Sequence, residues 1–212
     1  MLAPVLGAVF FSKFAHPTVL ALSVFLISYI SRPVGGFLFA LFGDKYGRRP
    51  SLLASSALLA GATILLALTP TGNTSSAIAW LLSCRLLQGL CWGAEVPGVS
   101  TIIFENKSRH LYLNNALLIM SIGIGALAGG VVVAMLQHTY AHTEIIAQMW
   151  RAPFAGGAVL ALITLFLRRR LRETARFSAT NPTQQTALPL RAILQSVSWQ
   201  LPVSILIFII IM

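Results

Sequence analysis

The chain has 212 residues, 57% of them hydrophobic and only 9% charged, with 15 Lys and Arg against 5 Asp and Glu for a formal charge of +10. Its mean hydropathy is +0.82, concentrated in apolar runs of about 20 residues, the length that crosses a ~30 Å hydrocarbon core at 1.5 Å per residue. This excludes a soluble globular domain, and in a membrane chain the basic excess reports topology, not nucleic-acid binding.

In chain order, the opening "MLAPVLGAVFFSKF" lacks the basic leader and small-residue cleavage pattern of a signal peptide. Residues 1 to 12 are apolar, but twelve helical residues rise only about 18 Å, a partial span. Full-length apolar segments follow near residues 18 to 43, 51 to 69, 78 to 104, 113 to 137 and 148 to 167, each predicted to cross as a helix. Residues 168 to 198, with Asn181, Pro182 and Pro189, are too polar to span; their last part, "PLRAILQSVSWQ", reads as a short surface helix. Residues 199 to 212 are again apolar and too short to cross. The expected organisation is an all-α membrane protein: a helical bundle over 1–167 with its first helix partial, a central loop over 168–198, and the start of a seventh helix over 199–212. Half-spans at both ends read as a piece of a longer chain, cut inside its first and seventh helices.

Basic residues sort by side. Lys45, Arg48 and Arg49, then Lys107 and Arg109, then Arg168, Arg169, Arg170, Arg172, Arg176 and Arg191 fall in alternate connections. The opposite connections hold Lys13, no charge in "TPTGNTSSA", and Glu144 with Arg151. Loops 44–50, 105–112 and 168–198 are therefore predicted to be cytoplasmic, in a multi-pass protein of the cell (plasma or inner) membrane.

The stretch "FGDKYGRRP", residues 42 to 50, carries more charge than sidedness requires. Glycines at 43 and 47 imply a tight turn. Asp44, set among Lys45, Arg48 and Arg49, can form charge-assisted hydrogen bonds that break when neighbouring helices move, so the loop is a candidate latch.

Within the spans, ionisable residues are functional candidates because an unpaired charge in hydrocarbon costs several kcal/mol. Arg32, followed by Pro33, Gly35 and Gly36, lies near the middle of the second helix, where it serves either an anion or coupling site or a structural ion pair. In the fourth helix, Arg85, Gln88, Cys91, Trp92 and Glu95 fall within one sector of about 120° at 100° per residue, so one face carries the polar groups. Arg85 and Glu95 are about 15 Å apart along the axis and each needs a partner elsewhere. Glu95 is a candidate proton carrier, loading and unloading as solvent access alternates; the alternative is a buried structural carboxylate paired with a base such as Arg32. Gly36 and Ala40 in the second helix and Gly125, Gly129 and Gly130 in the fifth have the spacing of close helix packing. Cys84 and Cys91 read as packing residues, and His138, His142 and Glu144 as interfacial residues rather than metal ligands. No metal or cofactor is expected, and the clustered His, Asp, Ser or Cys chemistry of a membrane enzyme is missing.

These motifs carry a resemblance. "ALFGDKYGRR" is similar to the signature loop between helices 2 and 3 of the major facilitator superfamily, Gly-x-Leu-x-Asp-Arg-x-Gly-Arg-Arg. Asp44, Gly47, Arg48 and Arg49 match, Ala40 stands for the first glycine and Lys45 for an arginine. "RLLQGLCWGAE" resembles the family's Arg-x-x-Gln-Gly pattern through Arg85, Gln88 and Gly89. "GALAGG" resembles the Gly-Pro-x-x-Gly-Gly motif of antiporters, with Ala126 in place of proline. "SRPVGG", "GAE", "WRAPF" and "RRRLRET", in this order, resemble the metabolite:proton symporter branch. The resemblance implies the N-terminal six-helix half of a twelve-helix bundle plus the start of helix 7. It implies a secondary transporter of a small organic acid or osmolyte, working with protons, the lipid bilayer and a missing C-terminal half. The aromatic and acidic segment that opens helix 1 of the branch is absent here. The alternative is a non-transporting, truncated remnant.

Overall fold

A computed structural model of the chain describes residues 3–70, 74–106, 110–140, 149–171 and 173. Every regular element among them is helical: α1 (Ala3–Phe10), α2 (Pro17–Tyr46), α3 (Arg48–Ala67), α4 (Ser75–Glu105), α5 (Leu111–Thr139), a 3-10 turn (Met149–Arg151) and α6 (Ala152–Arg168). Five are long and apolar enough to cross a membrane, α2 to α5 and the continuous Met149–Arg168 stretch, and they coincide with the five predicted spans. Residues 1–178 form one compact unit and residues 179–212 a second. The second, with the expected surface helix and seventh-helix start, lies outside the described residues.

Helix ends follow local chemistry more than hydropathy. Pro17 opens α2, where a missing N–H costs nothing. The helix then runs past the predicted limit at residue 43 and takes Asp44, Lys45 and Tyr46 into its last turn before Gly47 stops it. Gly47 has φ 112° and ψ 156°, a region that only glycine occupies without strain. The tight turn is thus this one residue, which is also the N-cap of α3. Gly43 is helical and buried; a Cβ there would come within 3.3 Å of Arg48 Nη1 and 3.4 Å of Ser51.

In a bilayer, lipid tails are as apolar as leucine, so helices associate through close backbone approach and hydrogen bonds across the contact. The α2–α4 crossing shows both. A Cβ on Gly35 would overlap Leu90, one on Gly89 would overlap Ser28 and Ser31, and one on Gly93 would overlap Arg32. Ser28 Oγ donates to the Arg85 carbonyl at 2.8 Å and Ser31 Oγ to the Leu86 carbonyl at 3.3 Å. Near the end opposite the charged loop, α1 and the Met149–Arg151 turn pack with α2, α3 and α4 around Leu6, Phe10, Leu66, Leu81 and Trp150. There Trp150 meets Phe10 edge to face at 5.4 Å. α5 is the most loosely covered helix: Val133 is its one buried residue, and Ser100 Oγ of α4 donates to Asn115 Oδ1 at 2.9 Å.

Candidate functional site

The charged loop is built on Gly47, which turns α2 into α3 so that Arg48 follows Asp44 by one helical step. Asp44 Oδ1 lies 2.6 Å from Arg48 Nη1, and Arg48 Nε donates to Glu105 Oε1 at 3.2 Å, tying α3 to the last residue of α4. At the first turn of α3, the carboxylate of Glu173 accepts the backbone N–H of Arg48 at 3.0 Å and that of Arg49 at 3.2 Å. Those N–H groups have no partner within the helix, and the positive end of the helix dipole favours an anion there. Arg49 Nη2 donates to the Arg169 carbonyl at 2.7 Å. Lys45 takes another course, with its ammonium 5.1 Å from the centre of the Tyr46 ring. The expected cluster of Asp44, Gly47, Arg48 and Arg49 is brought together, and Glu105 and Glu173 join it. Arg109, Lys107, Arg172, Arg176 and Arg191 lie outside the described residues.

Glu95 makes a second centre, deeper in the bundle. Its Oε2 is 2.5 Å from Arg168 Nη2, and its Oε1 accepts from Ser55 Oγ and Ser56 Oγ, each at 3.3 Å. Arg168 Nη1 also donates to Ser56 Oγ. Glu95 and Arg168 are both largely buried. The partner of Glu95 is therefore Arg168 and not Arg32: three helices, α3, α4 and α6, meet at one carboxylate. The pair lies on the wall of a cavity of about 710 Å³ between α3, α4, α5 and α6, otherwise lined mainly by apolar residues.

Arg32 and Arg85 share a different cavity, about 240 Å³, with Phe25, Ser28, Tyr29, Gln88, Gly89 and Trp92. Arg32 stacks over Tyr29, 4.1 Å from the ring centre, and lies 5.7 Å from that of Trp92. Arg85 stacks over Phe25 at 4.4 Å and Phe154 at 5.3 Å. Arg85 Nη1 donates to Gln88 Oε1 at 3.2 Å, and Gln88 Nε2 passes the chain on to Thr63 Oγ1 at 3.1 Å. Neither arginine pairs with an acid among the described residues, and the Nε of each is buried without a hydrogen-bond partner. Aromatic faces attract the two cations but leave their charge uncompensated. The arrangement suits an anionic group.

The packing candidates divide. Gly36 faces the Gly93 carbonyl, 3.1 Å from where its Cβ would be, and with Ala40 it lines a small cleft against Arg48, Ser51 and Pro97. Gly125 and Gly129 meet no heavy atom within 4 Å among the described residues, and Gly130 is half-buried. Cys84 and Cys91 are free and buried. His138 is exposed, and His142 and Glu144 lie outside the described residues.

Ser55, Ser56, Arg168, Glu105 and Glu173 escape a reading of the sequence alone. One signal does point to the acids: a chain of charge +10 has only five, Asp44, Glu95, Glu105, Glu144 and Glu173. Each of the four described ones is held by an arginine side chain or a helix N-terminus.

Comparison with known proteins fits this geometry. The family described as "Sugar (and other) transporter" matches residues 10–196. The chain belongs to that family. It is 38% identical over 157 residues to the alpha-ketoglutarate permease of Escherichia coli, a match covering 72% of this chain and 36% of the permease. It is 34% identical over 177 residues to a Staphylococcus haemolyticus protein named "Putative proline/betaine transporter", covering 80% of this chain and 37% of that one. The inward-open xylose transporter XylE of E. coli superposes with a TM-score of 0.74 at 19% identity, covering 92% of this chain and 47% of XylE. XylE is described as a major facilitator superfamily proton:xylose symporter, and its likeness shows that fold here. The family member spans less than half the length of these relatives. It is a multi-pass membrane protein of the sugar (and other) transporter family with the major facilitator superfamily fold.

Proposed function

We propose that the chain supplies the N-terminal half of a secondary transporter that moves a small polar metabolite, an organic acid or osmolyte, by proton symport, in the metabolite:proton symporter branch. The observation that carries this reading is the Arg32–Arg85 cavity: two half-buried cations, stacked on aromatic rings, with no acid among the described residues to balance them. A carboxylate-bearing solute supplies the missing charge, and the Arg85–Gln88–Thr63 chain fixes the orientation of one guanidinium. Glu95 is the carboxylate for proton coupling, and the loop of Asp44, Lys45, Gly47, Arg48 and Arg49 gates the cytoplasmic side. Alternating access of two helical halves around a central site is the mechanism such an arrangement serves. The names of two relatives, a permease for alpha-ketoglutarate and a protein labelled for proline or betaine, agree with the solute class.

The test is uptake of a panel of labelled carboxylates and zwitterions by the transporter that contains this half, with Arg32→Gln and Arg85→Gln beside it. Loss of affinity for carboxylates alone supports the reading; unchanged affinity for every transported solute overturns it. A second reading, a non-transporting remnant, draws on the share of the relatives' length that the chain spans. Sequencing of the flanking DNA separates the two, because an in-frame continuation into further spans removes the case for a remnant.

A further inference from the structure

α6 leaves the bundle through three successive grips on α3 and α4. Arg168, its last residue, holds Glu95 of α4 and the Ser56 hydroxyl of α3. The next carbonyl, that of Arg169, takes Arg49 Nη2 at 2.7 Å. After a turn in which the Leu171 N–H donates to the Arg168 carbonyl at 3.1 Å, Glu173 accepts the backbone N–H groups of Arg48 and Arg49. Arg168, Arg169 and Glu173 thus tie an interior carboxylate, on the wall of the 710 Å³ cavity, to the first turn of α3 beside Asp44.

We propose that Arg168 is a positioning residue that reads the charge of Glu95 and passes it to the cytoplasmic loop through this strap. While Glu95 is a carboxylate, Arg168 is held inward and Glu173 stays on α3. When a carboxylate oxygen of Glu95 takes a proton from water, Arg168 loses its only anionic partner among the described residues. A buried guanidinium without a counter-charge is strongly disfavoured, and its long side chain swings towards the aqueous end of α6. The strap then lifts and Glu173 leaves α3; loss of the proton to water reverses the step. The other groups that face Glu95 cannot replace Arg168. From α3 they are the Ser55 and Ser56 hydroxyls, from α5 Ser121 across the cavity, and on α4 itself Cys91 one turn earlier. From α2, Arg32 lines the other cavity and stacks towards Trp92. The link goes beyond the proposed transport function, since it is a property of the described helices.

Hydrogen exchange tests it on the full chain in lipid vesicles at one fixed pH, because the Arg48 and Arg49 amides are protected by Glu173. Glu95→Gln, which fixes the neutral state, and Arg168→Gln are each expected to raise exchange of these two amides by about an order of magnitude. The double variant should show no more than either single one, since Arg168 acts through Glu95. Arg168→Lys keeps the charge and should restore most of the protection. If Arg168→Gln does not fold, Glu95→Gln with Arg168→Lys completes the test. Wild-type protection at Arg48 and Arg49 in Glu95→Gln overturns the proposal. So does a rise shared equally by interior amides of α2 and α4, which marks general loosening.

Discussion

Asp44 and Gly47 illustrate how one side chain and one backbone angle divide the labour of a loop. Asp44 is 46% exposed at its side chain, and an exposed i,i+4 ion pair contributes about 0 to 1 kcal/mol. Its pairing with Arg48 therefore adds little stability, although Arg48 goes on to hold Glu105. Asp44→Asn is expected to leave membrane insertion and thermal stability near wild type while removing most transport by the complete transporter. Transport at the wild-type rate would reduce the loop to a topology signal. Gly47 is the reverse case, a residue whose role is stability. At φ 112° and ψ 156° a side chain costs on the order of 1 to 3 kcal/mol, so Gly47→Ala should lower the unfolding temperature of the purified protein. An unchanged melting curve would mean that the turn re-forms without strain. The sequence showed these residues by type and spacing, but it could not show which glycine makes the turn. Only the backbone angle separates Gly47 from the helical Gly43.

The spans themselves were legible because one physical quantity, about 20 apolar residues against a hydrocarbon core, sets both their number and their length. Their ends were less so, because the last turn of α2 keeps forming hydrogen bonds through Asp44 and Lys45 after the apolar run has stopped. Contacts between helices were read only in part. Gly36 lies at the α2–α4 crossing as its small-residue spacing suggests, yet the tightest approaches are at Gly35, Gly89 and Gly93, while Gly125 and Gly129 carry the same kind of pattern and touch nothing within 4 Å among the described residues. Spacing says that two backbones are able to approach; it does not say which partner arrives. A matched pair of substitutions tests this. Gly93→Ala must push α2 from α4 at the Arg32 carbonyl and is expected to cost about 1 to 3 kcal/mol, read as a lower unfolding temperature or folded yield in detergent. Gly125→Ala in this chain should stay within about 0.5 kcal/mol of wild type. Equal losses from both would place the Gly125 face of α5 in close contact with a neighbour within the chain.

On the scale of the whole molecule, charge is distributed as two separate centres on adjoining flanks of α4: Arg32 and Arg85, with no acid partner among the described residues, and the balanced pair Glu95–Arg168. The sequence placed Arg85, Gln88 and Glu95 on one polar face of α4, and that face divides between two cavities because α2 covers one flank and α3 and α6 the other. The partner of Glu95 was not legible, since Arg168 lies on a helix far along the chain and looks, in sequence, like one more cytoplasmic basic residue. This arrangement sets two expectations for Glu95→Gln in the complete transporter. If Glu95 carries the coupling proton, glutamine keeps its shape and hydrogen bonds but cannot release a proton, so solute binding and exchange persist while uphill uptake is lost. If the pair with Arg168 is only structural, the substitution leaves a buried cation unpaired at about 3 to 5 kcal/mol, and folded yield falls together with binding. The two Ser hydroxyls at 3.3 Å and the position of Arg168 at the helix end soften that second penalty, because the guanidinium has a short route to water. The expected result is therefore a stable protein with intact exchange and no accumulation. Binding, exchange and proton-driven uptake measured on the same purified Glu95→Gln protein decide the matter: a folded variant that still concentrates solute removes Glu95 from the coupling path, and one that no longer binds returns it to a role in packing alone.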